Sequence, residues 1–149
     1  MLVPALARGQ TVVATIPVGS NPSAIAVNLS TNKIYVANCL PPSGGMAGRG
    51  TPGTVTVIDG DTNTTTTVSA GVCPTAVAVN SVTNKIYVAN FGHSSITCGS
   101  CFDYGSITVI DGVTNAGVTI TDPNAKFPQA VAVNSVSYTH LTLPTIYSV

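Results

Sequence analysis

Tryptophan and glutamate are absent from this sequence, and charged residues make up only 7% of it. Five Lys and Arg balance five Asp, so the formal net charge is zero. A nucleic-acid backbone requires a concentrated basic surface, which so few cations cannot supply. For the same reason there is no polybasic patch for an anionic membrane and no acidic tail. No apolar run approaches the roughly 20 residues of a membrane-spanning helix, and amphipathic-helix periodicity is missing throughout. Without glutamate, general acid–base work falls to Asp residues that sit mostly in turns. The sequence also offers no Ser-His-Asp arrangement and no glycine-rich phosphate loop.

The residues that are present point to strands. Hydrophobic residues reach 44% while charge is scarce, which argues against disorder. Thr and Val favour strands, and Asn, Gly and Pro punctuate them. A length of 149 residues suits one domain. Composition alone therefore predicts an all-β fold.

Internal repeats sharpen that expectation. Pro22–Asn28 (PSAIAVN) recurs as Pro74–Asn80 (PTAVAVN) and Pro128–Asn134 (PQAVAVN), at offsets of 52 and 54 residues. Thr31–Asn38 (TNKIYVAN) returns unchanged as Thr83–Asn90, and Thr54–Gly60 (TVTVIDG) returns as Ser106–Gly112 (SITVIDG). Each unit predicts four strands: an inner one at Pro22–Asn28, a second at Lys33–Asn38, a third at Thr54–Asp59 and an outer one near Thr64–Ala70. Leu29 to Asn32 supplies a hairpin-length turn. In the turn from Asp59 to Asn63, Asp is expected to cap its own backbone and Gly60 to take a positive φ. Thr11 to Val18 reads as the outer strand of a preceding unit. The unbroken apolar run Ala24–Val27 predicts a strand buried on both faces, and the run Thr64–Thr67 a solvated rim.

Four antiparallel strands in about fifty residues is the size of a β-propeller blade. The fold class expected is thus a β-propeller fragment of about two complete blades plus flanking strands. The repeated Tyr35-Val36-Ala37-Asn38 and Tyr87-Val88-Ala89-Asn90, each followed by a Val-Ile-Asp strand and a Thr-Asn turn, resembles the YVTN-type β-propeller repeat family over residues 11–135. That resemblance implies an exported or surface-layer protein with about seven blades. The long loops after Asn38 and Asn90 and the four cysteines depart from the usual repeat. Two blades cannot close a ring, so the remaining blades or self-association are expected to cover the open faces.

The ends read differently. Residues 1–10, with Ala5-Leu6-Ala7 before Arg8-Gly9-Gln10, suit either the remnant of a signal peptide or a ragged terminus. Residues 136–149 break the repeat, and Val136 to Thr145 resembles translated sequencing-adapter DNA. A divergent capping segment is the alternative.

Alternation of strand direction places Cys39, Cys73, Cys98, Cys101 and His93 on one face. An even cysteine count in an exported chain favours disulfides, either Cys98–Cys101 or a crosslink from Cys39 toward the adjacent blade. Zinc ligation by Cys98 and Cys101 with Cys39 and Cys73 is a second reading. A thioredoxin-like redox pair lacks its βαβ context. His93 reads as a loop residue, Asp59 and Asp111 as turn initiators, Asn38 and Asn90 as strand-end residues. Tyr35 and Tyr87 read as packing aromatics with their hydroxyls satisfied, Lys33 and Lys85 as solvated. No catalytic residue, cofactor or metal site is assigned. Leu40–Gly53 and Phe91–Gly105 form the expected contact surface for a protein or cell-envelope polymer outside the cytoplasm. The alternative is a fragment of a propeller enzyme, a lactonase-like hydrolase or a cofactor-dependent oxidoreductase, whose active site would break the repeat symmetry.

Overall fold

The structure is a computed structural model and describes residues 11–40, 50–94, 102–124 and 126–134. Among them no helix occurs, and the strands form two four-stranded antiparallel sheets. Sheet 1 is a meander of β1 (Pro22–Asn28), β2 (Lys33–Asn38), β3 (Pro52–Asp59) and β4 (Thr65–Val72). Sheet 2 repeats it with β5 (Pro74–Asn80), β6 (Lys85–Asn90), β9 (Ser106–Asp111) and β10 (Gly117–Thr121). A two-residue ladder, β7 (His93–Ser94) with β8 (Phe102–Asp103), decorates the connection between β6 and β9.

The sequence repeat is also a register repeat. Ala26 pairs with Tyr35 and Tyr35 with Val57; 52 residues on, Ala78 pairs with Tyr87 and Tyr87 with Val109. Even the irregularity recurs, between Pro22 and Ala24 in β1 and between Pro74 and Ala76 in β5. Because side chains alternate across a strand, this register sends Tyr35, Val55, Val57 and Val68 to one face of sheet 1. There they form the core with Ile86, Val88 and Ile110 of sheet 2, and Val77 and Val79 pack against it. Each such aliphatic side chain removed from water contributes about 1.5–3 kcal/mol relative to exposure. The sheets therefore stack face to face, with β1 beside β5 and β4 against β9 and β10.

Hydrogen bonds pin the stack at both edges. At the inner edge Ser23 Oγ donates to Pro74 O at 2.6 Å, and Asn28 Nδ2 donates to Asn84 Oδ1 at 2.8 Å. At the outer edge Gly71 N–H donates to Thr108 Oγ1 at 3.2 Å. The turns behave as their Asp residues demand. Asp59 Oδ1 accepts from the backbone N–H groups of Asp61 and Thr62, and Asp111 Oδ1 from those of Val113 and Thr114.

Several expectations require correction. Gly60 does not take the positive φ of its turn; Asn63 does, at 59°. Glycine is needed at 60 for a different reason, since a Cβ there would lie 2.5 Å from Asn32 O. Segment 11–18 is not a strand, nor is 128–134, because no described residue offers either a ladder partner. The run Ala24–Val27 is not buried on both faces: Ile25 and Val27 are 67% and 48% exposed. Both lie on the face of sheet 1 opposite sheet 2, where Gly19 N–H donates to Thr56 Oγ1 at 3.3 Å. Thr64–Thr67 is the exposed rim expected.

Candidate functional site at the loop-bearing edge

The connection from β2 to β3, the start of that from β6 to β9, and the link from β4 to β5 meet at one edge of the stack. The residue before the proline that opens each repeat is held there in the left-handed region: Asn21 (φ 49°), Cys73 (φ 48°) and Phe127 (φ 53°). None is glycine, so each position costs roughly 1–2 kcal/mol that its contacts must offset. Backbone bonds supply part of this. Cys39 N–H donates to Asn21 O at 3.0 Å, and Phe91 N–H donates to Cys73 O at 2.8 Å, the same bond one repeat later.

On this frame Cys39 and Cys73 are joined by a disulfide, with Cα atoms 4.2 Å apart. The bond ties the end of β2 in sheet 1 to the start of β5 in sheet 2. Bonded sulfurs offer no thiolate, so this pair is not half of a zinc site. Cys98 and Cys101 lie outside the described residues. Among the described residues, no three His, Cys, Asp or Glu side chains come together to hold a metal ion. One repeat on, the positions of Cys39 and Cys73 are held by Phe91 and Phe127, whose rings pack with centroids 4.9 Å apart. These phenylalanines were not singled out in the sequence. Aligning the repeats at offsets of 52 and 54 residues places them opposite the cysteines, and that was the available signal.

Beside the disulfide lies an open cleft of about 240 Å³. Leu40, Val72, the two cysteines and Phe91 give it apolar walls, and His93 adds a polar group at the start of β7. Loop residues from both units thus border one depression, on the edge where Cys39, Cys73 and His93 were expected together.

The repeated polar residues divide by position. Asn38 and Asn90 are fully buried, and each Nδ2 donates to threonine or serine oxygens of the neighbouring strand, including Thr56 Oγ1 at 3.0 Å and Thr108 Oγ1 at 2.9 Å. They serve the fold, as expected of a residue repeated in every unit. Lys33 and Lys85 are not simply solvated. Lys33 Nζ crosses to sheet 2 and donates to Gly112 O at 2.7 Å, whereas Lys85 Nζ pairs with Asp111 Oδ2 of its own sheet at 2.6 Å. Hydrogen bonding from Lys85, then from the Thr114 and Val113 backbone, holds the Asp111 carboxyl far below the usual carboxylate range. Tyr35 also departs from expectation. Its hydroxyl is buried without a hydrogen-bond partner, and burial, then the charge of Asp111, pushes its phenol up.

No family model, curated protein or solved structure matches this chain. The class of molecule is therefore set by its own geometry: a disulfide-linked stack of two repeated, blade-like antiparallel sheets. Among the described residues, no helix is long and apolar enough to cross a membrane.

Proposed function

We propose that this chain is part of an exported β-propeller of the YVTN type, and that its loop-bearing edge contacts a protein or a cell-envelope polymer outside the cytoplasm. The observation that carries this reading is the Cys39–Cys73 disulfide, which closes the junction at the edge where both long connections leave their sheets. A structural disulfide belongs to an oxidising compartment. Long connections on a rigid scaffold are where contact residues concentrate. The repeated register supports a scaffold role for the strands themselves, since residues shared by both units serve packing and turns. Among the differences between units, Cys39 against Phe91 and Cys73 against Phe127 lie at this edge.

The test is co-sedimentation of the purified chain with isolated peptidoglycan sacculi, before and after both long connections are replaced by short turns. The expected result is sedimentation of the parent chain that is lost on shortening, with unchanged strand content by circular dichroism. Sedimentation that survives shortening removes the loop assignment. A parent chain that stays in the supernatant removes the envelope-polymer reading.

A further inference from the structure

Two segments of this chain carry the Asn-x-Ser/Thr pattern that an oligosaccharyltransferase reads: Asn28-Leu29-Ser30 and Asn63-Thr64-Thr65. The pattern is short and recurs by chance, so it means something only where the asparagine amide is open to an enzyme. The tertiary structure separates the two copies on that ground.

Asn28 closes β1 and is fully buried. Its Nδ2, the atom that would take the sugar, donates to Asn84 Oδ1 of the other sheet at 2.8 Å, and its Oδ1 accepts from Ser30 N–H at 3.1 Å. A sugar reaches that nitrogen only if the sheets part. Asn63 lies in the turn between β3 and β4, where every residue from Asp61 to Thr67 is exposed. Its backbone shapes the turn: the N–H donates to Asp59 O at 2.9 Å, and φ is 59°. The side-chain bonds that close the turn use other groups. Asp59 Oδ1 accepts from the Thr62 hydroxyl at 2.9 Å, and the Thr62 and Thr64 hydroxyls pair at 2.9 Å. The Asn63 amide and the Thr65 hydroxyl are therefore both presented to solvent.

The second unit shows what the turn itself requires. Asn115 has nearly the same φ, 58°, and makes the same bond to Asp111 O, yet Ala116 and Gly117 follow it. The turn thus needs the asparagine and not a hydroxyl two residues later. Asn115 has sheet 1 in front of its own sheet and is still only half-buried, so a neighbour in front of sheet 1 leaves the Asn63 turn reachable. Lys33 and Asp59 pair beside this turn, whereas Asn38 and Thr54 pair at the other end of the same two strands, where the long connection leaves. A group carried on Asn63 therefore projects from the edge opposite the cleft.

We propose that Asn63 is an N-glycan acceptor of the folded chain, with Thr65 as the hydroxyl that the transferase reads. The co-reactant is a glycan linked through diphosphate to a polyprenyl lipid. Asn63 Nδ2 attacks the anomeric carbon, and the nitrogen–carbon bond forms as the carbon–oxygen bond to the diphosphate breaks. The electron pair of the broken bond leaves on the diphosphate, which also takes up the proton given up by the amide, and nothing is oxidised or reduced. Asparagine glycosylation belongs to exported chains, so the assignment rests on the export reading above. It does not depend on what the loop-bearing edge binds.

The test incubates the purified, disulfide-intact chain with a purified oligosaccharyltransferase that reads Asn-x-Ser/Thr alone, together with its lipid-linked glycan. Intact mass counts the glycans, and peptide mapping locates them. The expected result is one glycan, on Asn63, lost in Thr65→Val and kept in Thr65→Ser. Valine suits the start of β4, so the loss reports recognition and not unfolding; circular dichroism of both variants checks this. Synthetic peptides of residues 25–33 and 60–68, free of the fold, are both expected to accept the glycan. A folded chain that takes no glycan on Asn63, takes one on Asn28 as readily, or keeps its glycan in Thr65→Val overturns the assignment. Enzyme and donor are supplied directly, so those outcomes strike this site and leave the export reading standing. A chain recovered only from the cytoplasm of its own cells sinks the export reading, and with it the use of the site in the cell.

Discussion

The junction between the two sheets and the junction that follows sheet 2 occupy the same place in the repeat, yet one is covalent and the other aromatic. Cys39 and Cys73 close the first, and Phe91 and Phe127 pack across the second. The backbone around them is conserved between units: the same amide-to-carbonyl bond, and the same left-handed residue before proline. What the position demands is therefore a contact spanning the junction, and sulfur chemistry is one of two solutions this chain uses. That comparison argues for a structural disulfide and against a catalytic one.

Breaking the covalent junction has the largest expected effect. The bond closes a loop between residues 34 apart in sequence, and removing such a link costs about 2–4 kcal/mol. Denaturant unfolding of Cys39→Ser/Cys73→Ser against the parent measures it, and an unchanged midpoint contradicts a load on this bond. Swapping the chemistries sharpens the point. Phe91→Cys/Phe127→Cys should form a second crosslink, detectable as a mass shift on reduction and alkylation. Removing the aromatic contact alone, by Phe91→Ala, should cost less, about 1–2 kcal/mol, because a half-buried ring pair adds roughly 0.5–1.5 kcal/mol to its area burial.

A smaller effect, opposite in sign, separates the two tyrosines. Tyr35 buries a hydroxyl without a partner, which costs about 1–3 kcal/mol in desolvation. Tyr35→Phe should thus be neutral or stabilising by about 1 kcal/mol, while Tyr87→Phe, at a half-buried site, should change stability by less than about 0.5 kcal/mol. Thermal unfolding of the pair decides it; a marked loss in Tyr35→Phe would mean that the hydroxyl has a partner.

The smallest effect is in the acid limb. Asp111 and Asp59 both have folded pKa values below the ordinary carboxylate value, Asp111 chiefly through Lys85 and Asp59 chiefly through the Thr62 hydroxyl. A depressed folded pKa contributes stability that is present above the unfolded value of about 3.9 and is lost as pH falls through the folded one. Stability should therefore fall below about pH 4, with Asp111→Asn flattening that limb more than Asp59→Asn. Both groups are solvated, so added salt should shrink the Lys85 contribution. Urea midpoints between pH 2 and 6 provide the check, and equal flattening by the two variants would remove the ion pair from the account.

Much of the fold was legible because a short strand with fixed turn chemistry is a local object. Pro22–Asn28, Lys33–Asn38 and the Asp-led turns could be placed from residue type and spacing. Residues 11–18 and 128–134 carry the same strand signals yet form no ladder, because a strand exists through its partner and not through its own propensity. The cleft at the loop-bearing edge was legible only as a shared edge, since its walls come from residues far apart in the chain.

The octapeptide TNKIYVAN occurs twice, and it separates the two kinds of information. By itself the sequence determined that both copies become second strands in the same register, because side-chain alternation is identical and the turns share their Thr-Asn and Asp-Gly residues. Tertiary structure alone decided that Tyr35 is sealed while Tyr87 is half-buried, that Lys33 crosses to the next sheet while Lys85 pairs within its own, and that Cys39 bonds Cys73. The reason is physical: burial and pairing depend on what stands in front of a face, and sheet 2 stands in front of only one of the two copies.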